Sequence, residues 1–395
     1  MKGRFLVLTG FLINVCLGAV YSFSIFRTPL ETLWGISATQ SGLPFMVFLL
    51  FFSIFMAISG GLIKKWGPMK TSLLGGIMVG AGWIGASFSP NIEIMTIMYG
   101  VIGGAGVGVA YGCPIAVSAA WFPQRSGLAI GLTVMGFGLS GVITAPLLTS
   151  LVKMLGPLKT FLYAGLVFLI VLAVLSLTLR FPPSEASRES KTVSRVESDA
   201  SINLNRVQMV KTPSFYTLWS AYMIGCLAGL MAIGISSPFG KEVAKINEYV
   251  ANLTIIVFSI FNGLGRPLFG WVTDKLNPRR GAMLSFALIL MSSIILYLFG
   301  EGNPLIYLLS FSLLWLNLGG WLAMAPTMTK KLFGTRYYSE NYGIVFTAYG
   351  VGAILGTYLS GMLKDFTGTY LSVFPIVAFL ASLGMLIVLA GFKTR

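Results

Sequence analysis

Residues 60–67 read GGLIKKWG and residues 270–277 read GWVTDKLN, two stretches that start 210 residues apart. A second pair, FPQR at 122–125 and FGTR at 333–336, starts 211 residues apart. Each motif lies between long apolar runs, and two unrelated loops sharing one spacing point to a duplicated unit. Apolar runs bounded by charges predict twelve membrane-spanning helices, over 5–26, 41–63, 71–90, 92–118, 127–151, 158–180, 214–237, 250–272, 282–300, 304–328, 341–362 and 370–391. Between the sixth and seventh runs, residues 181–213 (FPPSEASRESKTVSRVESDASINLNRVQMVKTP) change to Ser, Pro and charge with almost no aromatics, which reads as a linker. The predicted fold is an all-α membrane protein of two pseudo-symmetric six-helix bundles, 1–180 and 214–395.

Of the 395 residues 56% are apolar and 10% charged, with mean hydropathy +0.85. That is too apolar for one water-soluble core. Twelve spans of about 20 residues take up roughly 240 residues, which leaves short connectors. A soluble enzyme and a single-anchor protein are both excluded. Lys and Arg number 27 against 12 Asp and Glu, a formal charge of +15. Twenty of the 27 fall at the termini, in the loops after the even-numbered runs and in the linker. Six (Arg27, Lys153, Lys159, Lys241, Lys245, Lys364) fall on the other face, and Arg266 lies inside the eighth run. Such sorting predicts cytoplasmic termini and linker, and it explains the positive balance without nucleic-acid binding. Cys16, Cys113 and Cys226 lie in apolar runs and there is no His, so no disulfide framework, metal site or cofactor is expected. The first run begins like a secretory signal but continues through Phe26, and Val15 before Cys16 does not suit a lipoprotein cleavage site. It reads as the first spanning helix.

Gly270-Trp-Val-Thr-Asp274-Lys275 resembles the signature loop of the major facilitator superfamily, Gly-x-x-x-Asp-Lys/Arg-x-Gly; in the first half the acidic position is Lys64. WFPQRSGLAIGLTVMGFGLSG (121–141), FNGLGRPLFGWVTDK (261–275), FGTRYYSENYG (333–343) and RFPP (180–183) resemble the oxalate/formate antiporter family, a relative of the monocarboxylate transporters. These segments lie in both halves. The resemblance implies the major facilitator fold and alternating access, with Asp274, Lys275, Arg279 and Arg280 of the second-half loop latching the cytoplasmic side.

Arg266 is the one charged residue expected near the middle of a span. A buried Arg is disfavoured by roughly 2.5–3.5 kcal/mol on insertion scales, so it should face a wet cavity and meet an anion. Its planar donor fork matches a carboxylate. Asn262, four residues earlier, shares its helix face; the comparable place in the monocarboxylate transporters resembles an Asp active in proton coupling, and Asn cannot ionise. In the oxalate/formate relatives helix 11 carries a Lys suited to a second carboxylate, and the matching residue here is Tyr349. One fixed cation instead of two suggests a monocarboxylate. Asn14, Gly18 and Tyr21 form a stripe on helix 1. Tyr21 and Tyr111 resemble cavity aromatics of the family, and Phe137 stands where relatives carry Tyr, together an apolar wall for a short alkyl chain. Asn317 and Trp321 are weaker candidates in helix 10. The glycines of GVIGGAGVGVAYG (100–112) look like a dinucleotide loop but lie within a span, which favours close helix packing.

The predicted function is secondary active transport of small, lactate-like monocarboxylates, by alternating access and proton symport. The alternative is oxalate/formate-type exchange of carboxylate anions. Enzymatic chemistry is not expected without His or membrane-embedded acids. The expected partners are a small monocarboxylate anion, a proton and the lipid bilayer, and the expected state is a monomer in the cell inner membrane.

Overall fold

The duplicated helical pattern folds as twelve spans. In a computed structural model, residues 2–122, 126–182, 203–276, 278–334 and 337–392 are described, and among them every regular element is helical. The first span, α1, is Gly3–Ser22. The next helical stretch, Ala38–Ser87, runs for 50 residues but breaks at Gly67, with φ 78° and ψ 167°. It is therefore two spans, α2 (38–66) and α3 (68–87). The rest are α4 (Ile92–Ser118), α5 (Ala129–Leu155), α6 (Pro157–Ser176), α7 (Pro213–Glu242), α8 (Glu248–Gly270), α9 (Arg279–Phe299), α10 (Pro304–Phe333), α11 (Asn341–Thr367) and α12 (Tyr370–Gly391).

The α2–α3 and α5–α6 connections share one device. Gly156 (φ 79°, ψ 169°) stands before Pro157 as Gly67 stands before Pro68. This backbone region is open essentially to glycine alone. Proline then starts the next helix, where its missing N–H has no partner to lose. Each bundle loop here is thus a single residue, tighter than the gaps of 64–70 and 152–157 expected from charge and hydropathy.

Other helices outrun their apolar runs. After α1 the chain continues as a further helix, Ser24–Trp34. Helix α7 continues past Pro238 to Glu242, and α11 reaches Thr367. The glycines of α4 serve packing. A Cβ at Gly104 would stand 2.3 Å from the Phe48 carbonyl oxygen, and one at Gly108 would stand 2.6 Å from that of Phe52, so α4 lies directly on the backbone of α2.

The fold is two six-helix bundles, α1–α6 and α7–α12. They meet along two long seams, α2 against α11 and α5 against α8. The Ser24–Trp34 helix adds a third contact, against α7. Large rings fill the interior: Trp83, Tyr99 and Phe161 in the first bundle, Phe239, Tyr307 and Phe311 in the second. Of the linker 181–213, residues 183–202 lie outside the described residues. Its last part returns as a one-turn helix, Arg206–Met209, with a capping box between Asn205 and Gln208. Leu204 joins it to α10 and α11, donating its N–H to the Phe333 carbonyl at 3.0 Å and accepting from the Asn341 amide at 2.8 Å.

Candidate functional site

The seam between α5 and α8 holds the buried cation read from sequence. Arg266 is 4% exposed and lies ten residues before Leu276, where the helix that carries the α8 span ends, six residues beyond the span itself. At 1.5 Å rise per residue that is about 15 Å inside the end, deep but not central. Its Nη1 donates to the Val134 carbonyl of α5 at 2.8 Å. Its Nε and Nη2 have no hydrogen-bond partner, and among the described residues no acid forms an ion pair with it. Each buried donor left unmade costs about 1–3 kcal/mol, more when charged. The guanidinium therefore presents two adjacent N–H groups still in need of an acceptor.

Asn262 lies one turn earlier on the same face. Its Nδ2 donates to the Trp315 carbonyl of α10 at 3.0 Å, which fixes the amide so that Oδ1 points the other way. Oδ1 is buried and has no partner. It points toward α5, where a Cβ at Gly138 would stand 2.9 Å away. Only a residue without a side chain leaves room there. The pair thus combines two unused donors with one unused acceptor.

Next to them the hydroxyls of Tyr21 and Tyr349 lie 3.0 Å apart, bonding α1 of one bundle to α11 of the other. The Arg266 charge is within electrostatic reach of the Tyr21 hydroxyl. The Tyr21 ring meets Phe137 edge-on at 5.0 Å between centroids and Trp315 at 6.1 Å. Tyr111 meets Phe137 at 5.4 Å. The predicted aromatics Tyr21, Tyr111, Phe137 and Tyr349 therefore come together as one cluster.

Sequence reasoning missed three members of that cluster. Phe52 lies 5.2 Å from Tyr111, 5.7 Å from Phe137 and 5.7 Å from Tyr349. Phe346 stacks on Tyr349 at 4.9 Å, and Trp315 closes the side next to Asn262. Phe52 sits in the run LLFFSIF, where nothing in composition separates it from its neighbour Phe51. Phe346 carried a usable signal, since it precedes Tyr349 by three residues on one helix face.

The remaining candidates make contacts of their own. Asn14 donates from Nδ2 to the Gly10 carbonyl of its own helix at 2.9 Å, and its Oδ1 has no hydrogen-bond partner. Asn317 is satisfied inside the second bundle, accepting from Ser285 at 2.7 Å and donating to the Leu313 carbonyl at 2.7 Å. Trp321 packs against Tyr222 and Phe286. Arg279 begins α9 and Arg280 follows it, exposed. The side chains of Asp274 and Lys275 lie outside the described residues.

Two membrane-spanning six-helix bundles with an unpaired cation and an aromatic cluster on their seams define a membrane transporter. A sequence model of the Major Facilitator Superfamily matches residues 7–243 and 231–395, and the chain belongs to that superfamily. It is 27% identical over 355 residues to the oxalate:formate antiporter of Oxalobacter formigenes, covering 89% of this chain and 82% of that one. It is 25% identical over 354 residues to an uncharacterized MFS-type transporter, YhjX, of Escherichia coli strain K12, covering 89% and 86%. Monocarboxylate transporter 12-B of Danio rerio is 25% identical over 337 residues, covering 78% of this chain and 69% of its own. Within the superfamily the chain is thus similar to both an oxalate:formate antiporter and a monocarboxylate transporter.

Proposed function

We propose that this protein carries small, lactate-like monocarboxylates by alternating access, together with a proton. The observation that carries the reading is the pair of unpartnered donors on Arg266, Nε and Nη2, beside the unpartnered Oδ1 of Asn262. A carboxylate accepts both N–H groups in a fork. A hydroxyl next to that carboxylate, or an acid proton carried with it, donates to Asn262. The rings of Phe52, Phe137 and Tyr111 suit a short alkyl group, and Tyr349 gives a hydroxyl where a dicarboxylate site would want a second cation. The site residues of this reading are Arg266, Asn262, Tyr349, Tyr21, Tyr111, Phe137 and Asn14. Asp274, Lys275, Arg279 and Arg280 latch the opposite, cytoplasmic side.

The basic residues favour an inner-membrane placement with both termini and the linker cytoplasmic. A single copy holds all the proposed contacts, which favours a monomer. The likeness to the oxalate:formate antiporter favours a second reading, exchange of one carboxylate anion for another. Uptake of labelled lactate into proteoliposomes separates them. Acceleration by an inside-alkaline gradient with no internal anion is the result expected for symport. Uptake only against preloaded anion, and blocked strongly by oxalate, would replace this reading with the exchanger.

A further inference from the structure

At the end of the molecule opposite the termini, the bundles are tied through a cation that the sequence had placed among loop charges. Arg27, on the Ser24–Trp34 helix, is fully buried. All three guanidinium nitrogens donate. Nε reaches Ser41 Oγ at 3.0 Å and Nη2 reaches the Ala38 carbonyl, both within the first bundle. Nη1 crosses to the second bundle and meets the Gly234 carbonyl of α7 at 3.1 Å. That carbonyl is available for a reason written in the sequence. The residue four positions on, whose N–H it would accept in a helix, is Pro238. Proline inside α7 thus turns an internal acceptor into one that must look outside its own helix.

The surroundings make this contact reversible. Arg27 donates to two carbonyls and a hydroxyl; Glu31, four residues on, makes no ion pair with it but lies within its electrostatic reach and accepts from the same Ser41 hydroxyl. A buried cation held by neutral oxygens gains little over its hydrated state. Tyr370 lies under both Arg27 and Lys364, at 5.7 and 5.3 Å from its ring centroid, and Lys364 pairs with Glu242. Beside it a second tie crosses the same seam. Asp365 of α11 accepts from the backbone N–H groups of Ala38 and Thr39 at 3.1 Å each, and from the Thr39 hydroxyl. An acid from one bundle therefore caps the first turn of α2 in the other.

We infer that Arg27, through the Gly234 carbonyl that Pro238 leaves without a helical donor, is the latch of the outer gate, and that Asp365 on the α2 N-terminus is its second half. Opening toward the outside breaks both ties, rehydrates Arg27 and frees the Ala38 and Thr39 N–H groups, while the Ser37–Gln40 capping box stays within the first bundle; closure re-forms them. The inference rests on the alternating-access reading above but not on the identity of the cargo.

Spin labels at E93C and E301C, exposed sites on the outer ends of the two bundles, report the separation by pulsed EPR in the full-length protein in nanodiscs, without substrate. Losing one net hydrogen bond should shift the ratio of short to long distances about fivefold toward long. R27Q and D365N should each do so. P238A, which restores a backbone donor inside α7 and so offers Gly234 a partner of its own, should shift it the same way. Should R27Q fold poorly, P238A alone decides. Distances unchanged in P238A, or shifted only in R27Q, would overturn the latch. A shift in all three with no lactate uptake by the wild type would leave the latch standing and sink the proposed cargo instead.

Discussion

Replacing Arg266 tests the central contact of the proposed site. Two of its donors, Nε and Nη2, have no hydrogen-bond partner within the chain. Hydrogen bonds to charged groups contribute about 1.5–3 kcal/mol each, so a carboxylate that takes both gains about 3–6 kcal/mol. Arg266→Gln removes the charge and the fork and should weaken binding by two to four powers of ten. Arg266→Lys keeps the charge but only one aligned donor, and should lose about half of that free energy, one to two powers of ten. The measurement is equilibrium binding of lactate to purified protein by calorimetry, which separates affinity from turnover. Counterflow in proteoliposomes then shows whether the residual binding is productive. Thermal melting without substrate controls for folding, since the substitution removes a buried, half-satisfied cation and should leave the empty protein no less stable. Wild-type-like affinity in Arg266→Gln, within about threefold, would refute the reasoning, because among the described residues no other buried group at the seam offers two unpartnered donors side by side.

Gly138→Ala puts a methyl 2.9 Å from Asn262 Oδ1 and should slow uptake about tenfold; removing the obstruction with Asn262→Ala should make the second change non-additive in a double-mutant cycle. Tyr349→Phe leaves the Tyr21 hydroxyl alone at the seam and should lower stability by about 0.5–1.5 kcal/mol, read as a shift in melting temperature that Tyr21→Phe does not deepen when combined. Burial holds the Glu31 carboxyl above its ordinary value, opposed by Arg27, the Ser41 hydroxyl and Lys364 and assisted by Glu242. Opening hydrates Glu31 and returns it toward that ordinary value, so the closed gate binds the proton more tightly. Acidification through the window between the two values should raise the short-distance population of the E93C/E301C pair. Glu31→Gln should flatten that profile at its acid level, and a wild-type pH dependence in that variant would show the titrating group to lie elsewhere.

What could be read from the residues divides along physical lines. Arg266 was legible because a charge inside an apolar run has few reasons to exist, and Asn262 because helical spacing ties it to that charge. The membership of the aromatic cluster was less so. Phe51 and Phe52 are chemically identical neighbours, and only the packing of α2 against α11 decides which one meets Tyr349. Arg27 looked like one of six loop cations because the apolar run ends near it. Neither its burial nor its acceptor has a local signature, since Gly234 lies 207 residues away. Helix ends were misjudged where charge was taken as the boundary. In α2–α3 the break falls at Gly67-Pro68, inside the charged segment KKWGPMK, and α7 carries charged residues to its end at Glu242.

Helix α2 brings Ala38 and Thr39 to the outer tie and Phe52 to the aromatic cluster, and it turns into α3 through Gly67 alone. A one-residue corner leaves no slack in the chain for α2 to slide while α3 stays put. The two helices form a lever whose arms share one fulcrum, so a displacement imposed on Thr39 is delivered to Phe52 and to α3 within the same stroke. A fluorophore on the lipid-facing side of α3, touching neither cargo nor gate, would therefore register both.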